Sequence, residues 1–147
     1  MKKLIFLLGI TITLLQSCSS GDSTNNNAPT DQSNLLYKWN LNKWLLNDVN
    51  QTLSTCDKQK YIQFNSDGTF ERKDFYLSGS SCLLEGFDSG TYSYNVATSK
   101  ITLNFTDPVE GAQVEKLNNV IITSTTLKYS WDENGDGIDD HNLELTK

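Results

Sequence analysis

The densest chemistry in this chain lies near its C-terminus, in Asp132-Glu133-Asn134-Gly135-Asp136-Gly137-Ile138-Asp139-Asp140. A hard cation such as calcium takes roughly six to eight oxygen ligands. Asp132, Asn134 and Asp136 stand at alternating positions with Gly137 next, Ile138 offers a main-chain carbonyl, and Asp140 follows. That is the first half of an EF-hand-type loop. Leu143 occupies the place of the bidentate acid, so the spacing predicts only weak calcium binding through Asp132, Asn134, Asp136, Ile138 and Asp140. A second reading needs no ion: Asn-Gly and Asp-Gly pairs also satisfy the turn geometry of a solvated acidic hairpin. His141, the single histidine, follows the loop and is expected to be a surface residue rather than a ligand. No Gly-x-Ser-x-Gly, phosphate-binding loop or dinucleotide fingerprint occurs in the sequence. One histidine leaves little for acid–base work, so no catalytic residue is assigned and the chain reads as a non-enzyme without a cofactor beyond that weak calcium.

The cysteines carry the remaining chemistry. Met1-Lys2-Lys3 is a short positive region, and residues 4–15 are apolar, too short for a permanent membrane helix of about 20 residues. This is the pattern of an export signal. Leu15-Gln16-Ser17-Cys18 resembles the bacterial lipoprotein box, in which the Cys becomes the lipidated first residue of the mature chain. The resemblance implies a signal peptide over 1–17, lipidation at Cys18 and a place on the cell outer membrane, facing the periplasm or the cell surface. Each buried methylene of an acyl chain contributes ~0.8 kcal/mol, so several chains anchor firmly. Cys56 and Cys82 are then the cysteines left over in an exported chain, where disulfides persist, and they are expected to pair. Closing a loop of about 27 residues is worth ~3.5 kcal/mol on the chain-entropy account.

Elements must position these residues. A composition of 37% hydrophobic and 20% charged residues fits one soluble globular domain rather than a membrane bundle or a disordered chain. With 18 acidic against 12 basic residues the chain lacks the positive surface that nucleic acids need. Loss of Lys2 and Lys3 with the signal leaves 10 basic against 18 acidic residues, which disfavours anionic surfaces further. Residues 19–34 contain no large apolar side chain, so 18–34 reads as the lipidated Cys and a flexible tether with a reach of roughly 20 Å. The folded domain is then 35–147. Its apolar residues alternate at period two: 61–64 and 69–72 flank Asp67-Gly68, a hairpin signal. Tyr92, Tyr94 and Val96 alternate before a turn, followed by Ile101, Leu103 and Phe105. Further strands are read over 39–46, 114–122, 125–131 and around Leu143 and Leu145. About eight antiparallel strands joined by hairpins predict an all-β, eight-stranded up-and-down barrel, with a two-sheet sandwich as the alternative.

The residues also carry a family resemblance. Leu35-Leu36-Tyr37-Lys38-Trp39-Asn40-Leu41 is followed by Cys56, Tyr61-Ile62-Gln63-Phe64, Ser66-Asp67-Gly68-Thr69-Phe70, Cys82, Gly90-Thr91-Tyr92-Ser93, Lys100-Ile101-Thr102-Leu103 and Ser124-Thr125-Thr126-Leu127. This series resembles the lipocalin-like domain of small lipoproteins of Bacteroidota. The family's opening Leu-x-Gly-x-Trp-x-Leu is met with Tyr37 in the Gly position, or, in a second registration around Trp44, with Asn42 there. The resemblance implies an eight-stranded barrel with one open mouth and life outside the cytoplasm. The functional expectation is a monomeric, lipid-anchored envelope protein that binds a small apolar or amphipathic molecule in the barrel mouth. The alternative is a structural or protein-interaction module of the envelope with a filled barrel. Cavity volume separates the two.

Overall fold

Period-two alternation dictates strands here, and in a computed structural model, which describes residues 32–147, nine of them form. The signal over 1–17, Cys18 and the tether up to residue 31 lie outside the described residues. The strands are β1 (Lys38–Leu46), β2 (Val49–Asn50), β3 (Tyr61–Phe64), β4 (Thr69–Ser78), β5 (Ser81–Asn95), β6 (Lys100–Asp107), β7 (Gly111–Ile122), β8 (Thr126–Trp131) and β9 (His141–Thr146). Every pairing is antiparallel, and β1 pairs with β9 as well as β3, from Asn40 opposite Thr146 to Leu46 opposite His141. That pairing closes an eight-stranded up-and-down barrel and excludes the sandwich; β2 is a two-residue annex on the end of β1.

The hairpin turn at Asp67-Gly68 forms as its residues dictate. Gly68 sits at φ +83°, and the Asp67 carboxylate accepts the Thr69 N–H at 2.9 Å. The sequence carries Val96 on with Tyr92 and Tyr94, but the strand stops earlier. The Asn95 side chain accepts the Thr98 N–H at 3.2 Å and turns Val96–Thr98 into a short 3-10 turn, leaving Val96 exposed. A 3-10 turn over Gln32–Leu35 precedes β1.

One half of the barrel is filled. Leu35, Trp39, Phe64, Phe70, Ile101, Leu103, Leu117 and Leu127 are all buried there. The Trp39 indole N–H donates to the Leu35 carbonyl at 3.0 Å and so ties the opening turn to the filled half. Tyr37 stays at the surface, edge-on to Trp39, with the Lys147 ammonium 3.2 Å from its ring centre. Beyond the barrel wall, residues 74–78 of β4 and 81–86 of β5 pair only with each other and project as a two-stranded arm. A Cys56–Cys82 disulfide ties this arm to the segment before β3.

Candidate functional site

Strand alternation places Phe70, Arg72 and Asp74 of β4 on the inward face, so a cation enters the lumen two residues after a core phenylalanine. Arg72 spans the barrel. Its Nε and Nη2 donate to Asp88 on the adjacent β5 at 3.0 and 2.8 Å, and Nη1 donates to both carboxylate oxygens of Glu115 on β7 at 2.9 Å. Burial opposes the guanidinium charge, but Glu115 and then Asp88 outweigh it and hold the Arg72 pKa above its ordinary value. Tyr129 is buried beside this crossbar, and burial pushes its phenol well up.

The crossbar lies where packing gives way to a cavity of about 350 Å³, open to solvent. Leu41, Ile62, Leu143 and Leu145 supply apolar wall, and Trp44, Tyr129 and Trp131 supply aromatic wall. Across the opening lies an aromatic layer that corrects the expectation for His141. That residue is not at the surface but only 5% exposed. Its ring stacks on Trp131 at 4.0 Å between centroids and runs nearly parallel to Trp44 at 5.7 Å. The indole N–H of Trp44 donates to Nδ1 at 2.9 Å, so Nδ1 is an acceptor and Nε2 carries the hydrogen that faces Glu133 Oε2 at 2.9 Å. The sequence placed His141 at the surface because it follows an acidic loop; the register of β9 turns it inward opposite Leu46 and Trp131.

Asp74 also lines this cavity. Burial raises its pKa, with the charges of Arg72 and Lys60 opposing the rise and those of Asp88 and Glu85 adding to it. Among the described residues no side chain or backbone N–H donates to it within hydrogen-bond distance. Its cross-strand neighbour is Gly86, which leaves that flank of the carboxylate without a side chain. A second, larger cavity of about 620 Å³ lies between β7 and the loop after β8 and shares Glu115, Trp131 and Glu133 with the first.

The predicted calcium residues occupy the β8–β9 connection, and their oxygens are engaged locally. Asp132 accepts the N–H groups of Gly135 and Gly137 at 2.7 and 2.8 Å, Asn134 accepts that of Asp136 at 2.9 Å, and Asp136 accepts that of Ile138 at 2.8 Å. Asp140 accepts the N–H groups of Glu133 and Asn134. Asp139 turns away from the loop to accept from Asn118 and Asn119 at 2.7 and 2.9 Å and from the Ser130 hydroxyl at 2.6 Å. Among the described residues no three His, Cys, Asp or Glu side chains group as metal ligands. Cys56 and Cys82 are joined as the sequence predicts, and Cys18 lies outside the described residues. Arg72, Asp74, Asp88 and Glu115 were not singled out from sequence; the available signal was that Arg72 and Asp74 share the parity of Phe70.

Comparison with known proteins adds one finding. The profile of a family described as a lipocalin-like domain matches residues 35–129, which runs from the opening turn into β8 and stops short of Trp131, Glu133 and His141. No curated protein and no solved structure matches the chain.

Proposed function

The chain belongs to the lipocalin-like family, and from that premise we propose that it binds a small amphipathic molecule in the mouth of its barrel. The cavity of about 350 Å³ carries this reading. Its volume lies in the range that holds a small organic molecule, and its wall combines apolar and aromatic surface with a few fixed polar groups. A chain whose barrel served only as a scaffold would be expected to fill both halves as it fills the half around Trp39. Asp88 and Glu115 are committed to Arg72 and Glu133 to His141, which leaves Asp74 as a lone carboxylate without a second acid–base group to work with and favours a binder over an enzyme. Lipidation at Cys18 and a place on the outer membrane belong to the same proposal and rest on the first eighteen residues. The rival reading, an envelope interaction module, draws on the exposed Tyr76, Leu77, Leu83 and Leu84 of the projecting arm.

Native mass spectrometry of the protein isolated from its own membrane tests the proposal. A co-purifying small molecule at one per chain, displaced by Leu143→Trp in the cavity wall, is the expected result. A bare chain in every preparation, with the Leu143→Trp variant indistinguishable from wild type, would favour the interaction module.

A further inference from the structure

Resting on the mouth-binding reading, we infer that the cavity selects a ligand with a cationic nitrogen, a protonated amine on an apolar or aromatic body, and that Asp74 is its partner. The charges around the cavity are unbalanced. Two cations, Arg72 and Lys60, line it with three carboxylates, Asp74, Glu115 and Glu133, and three more, Asp57, Glu85 and Asp88, pair with those cations from outside the lining. Both cations are already occupied. Arg72 makes four contacts of 2.8–3.0 Å with Asp88 and Glu115, and Lys60 lies 3.2 Å from Asp57 and 3.9 Å from Glu85. An incoming anion would have to strip one of these charge-assisted contacts from its partner, leaving a carboxylate without compensation in a part-buried site.

Asp74 presents the opposite case. It is the one cavity-lining carboxylate that accepts no hydrogen bond among the described residues, and Gly86 opposite leaves it open. A ligand ammonium could donate to it without displacing anything. The aromatic wall suits the same ligand, because the faces of Trp44 and Trp131 attract a cation through their quadrupoles; the Lys60 ammonium already lies 6.0 Å from the Trp44 ring centre. A bare metal ion needs several converging side-chain ligands, and no such group of His, Cys, Asp or Glu occurs among the described residues. One carboxylate in a cavity that indole rings also line is instead the complement of an organic ammonium.

Isothermal titration of the full chain with two matched series tests the inference: tryptamine, 3-ethylindole and indole-3-propionate, and then hexylamine, 1-hexanol and hexanoate. The amine of at least one series is expected to bind about tenfold or more tightly than its neutral analogue, with the carboxylate weakest. In Asp74→Asn the amine should fall to the affinity of the neutral analogue, whose own binding stays unchanged. Equal binding of amine and neutral probes, or a preference for the carboxylates, overturns the charge selection and leaves mouth binding standing. An amine preference that survives Asp74→Asn overturns the assignment to Asp74. If no probe of either series binds, the mouth-binding reading falls and this inference with it. Should Asp74→Asn fail to fold, the ranking of the probes on wild type still decides charge selection, and Asp74→Glu, which keeps the charge, replaces it as the positional test: the amine preference must survive with altered affinity, and unaltered affinity would overturn Asp74 as the contact.

Discussion

Arg72 and Asp74 are two residues apart on one strand and put opposite demands on the fold. Arg72 is compensated on both sides, so truncating it leaves Asp88 and Glu115 facing each other in a part-buried lumen. Arg72→Leu is expected to cost about 3–5 kcal/mol in urea unfolding, while Arg72→Leu with Asp88→Leu and Glu115→Leu recovers most of that loss. A single substitution that proved neutral would show that the crossbar carries no strain when broken. Asp74 is uncompensated by hydrogen bonding, and burial raises its pKa against the pull of Arg72 and Lys60, with Asp88 and Glu85 reinforcing the rise. A carboxyl raised in the folded state contributes stability that is fully present below its ordinary pKa and is lost as pH rises through the raised value. Asp74→Asn should therefore stabilise the chain at pH 7 by on the order of 1 kcal/mol and make little difference near pH 3, read as the difference between thermal melts. A gain independent of pH would contradict that origin. Little of this site is legible in the sequence, because its partners are remote along the chain: Arg72 and Glu115 are 43 residues apart, and Trp44 and His141 are 97 apart. The 132–140 loop stood out because its spacing is local, and Asp132, Asp136 and Asp140 accept from its own backbone for the same reason.

At the scale of elements, alternation and turn chemistry carry most of the information. The hairpin at Asp67-Gly68 and the strands around Leu103, Leu127 and Leu145 follow from residues within a few positions of one another. The early reach of β5, back to Ser81, does not, since Ser81, Glu85 and Gly86 resemble loop residues until β4 offers them a partner. Gly90 shows how closely these strands approach. A Cβ there would collide with the Asn104 carbonyl oxygen and come within 3.0 Å of the Phe105 Cα, both backbone groups that cannot swing aside. Gly90→Ala is expected to destabilise by about 1–3 kcal/mol, with the midpoint of urea unfolding as the measure. The projecting arm has both outer edges unpaired, and a two-stranded ribbon is marginal alone, so the Cys56–Cys82 bond is what holds it against the body. Reduction should lower the melting temperature by roughly 10–20 °C, on ~3.5 kcal/mol of loop closure. It should also speed amide exchange at Phe75, Leu77 and Leu84 well before Trp39 or Leu103. Uniform acceleration across the barrel would show that the bond supports the whole core instead of the arm.

At the scale of the molecule, β1 and β9 close the barrel across a separation of about a hundred residues, a contact that strand periodicity alone could not reveal and that the sequence reading reached through hairpin count and family resemblance. Among the described residues, closure draws its first interior contact from Leu35 and its first ladder pair from Lys38. Under the proposed lipidation, anchoring at Cys18 and folding of 35–147 are expected to be separable. Cys18→Ala removes the thiol that would take the acyl chains and changes none of the residues that build the barrel, the arm or the cavity. The variant is expected to leave the membrane fraction for the soluble one after export, with an unchanged melting temperature, an intact Cys56–Cys82 bond and the same probe affinities as wild type. Fractionation followed by melting and titration of the same sample reads all of these together. A Cys18→Ala chain that resists a high-salt wash of the membrane would assign the attachment elsewhere, with the exposed Tyr76, Leu77, Leu83 and Leu84 of the arm as the next surface to mutate. A chain that is released but melts early would show instead that the lipid stabilises the fold.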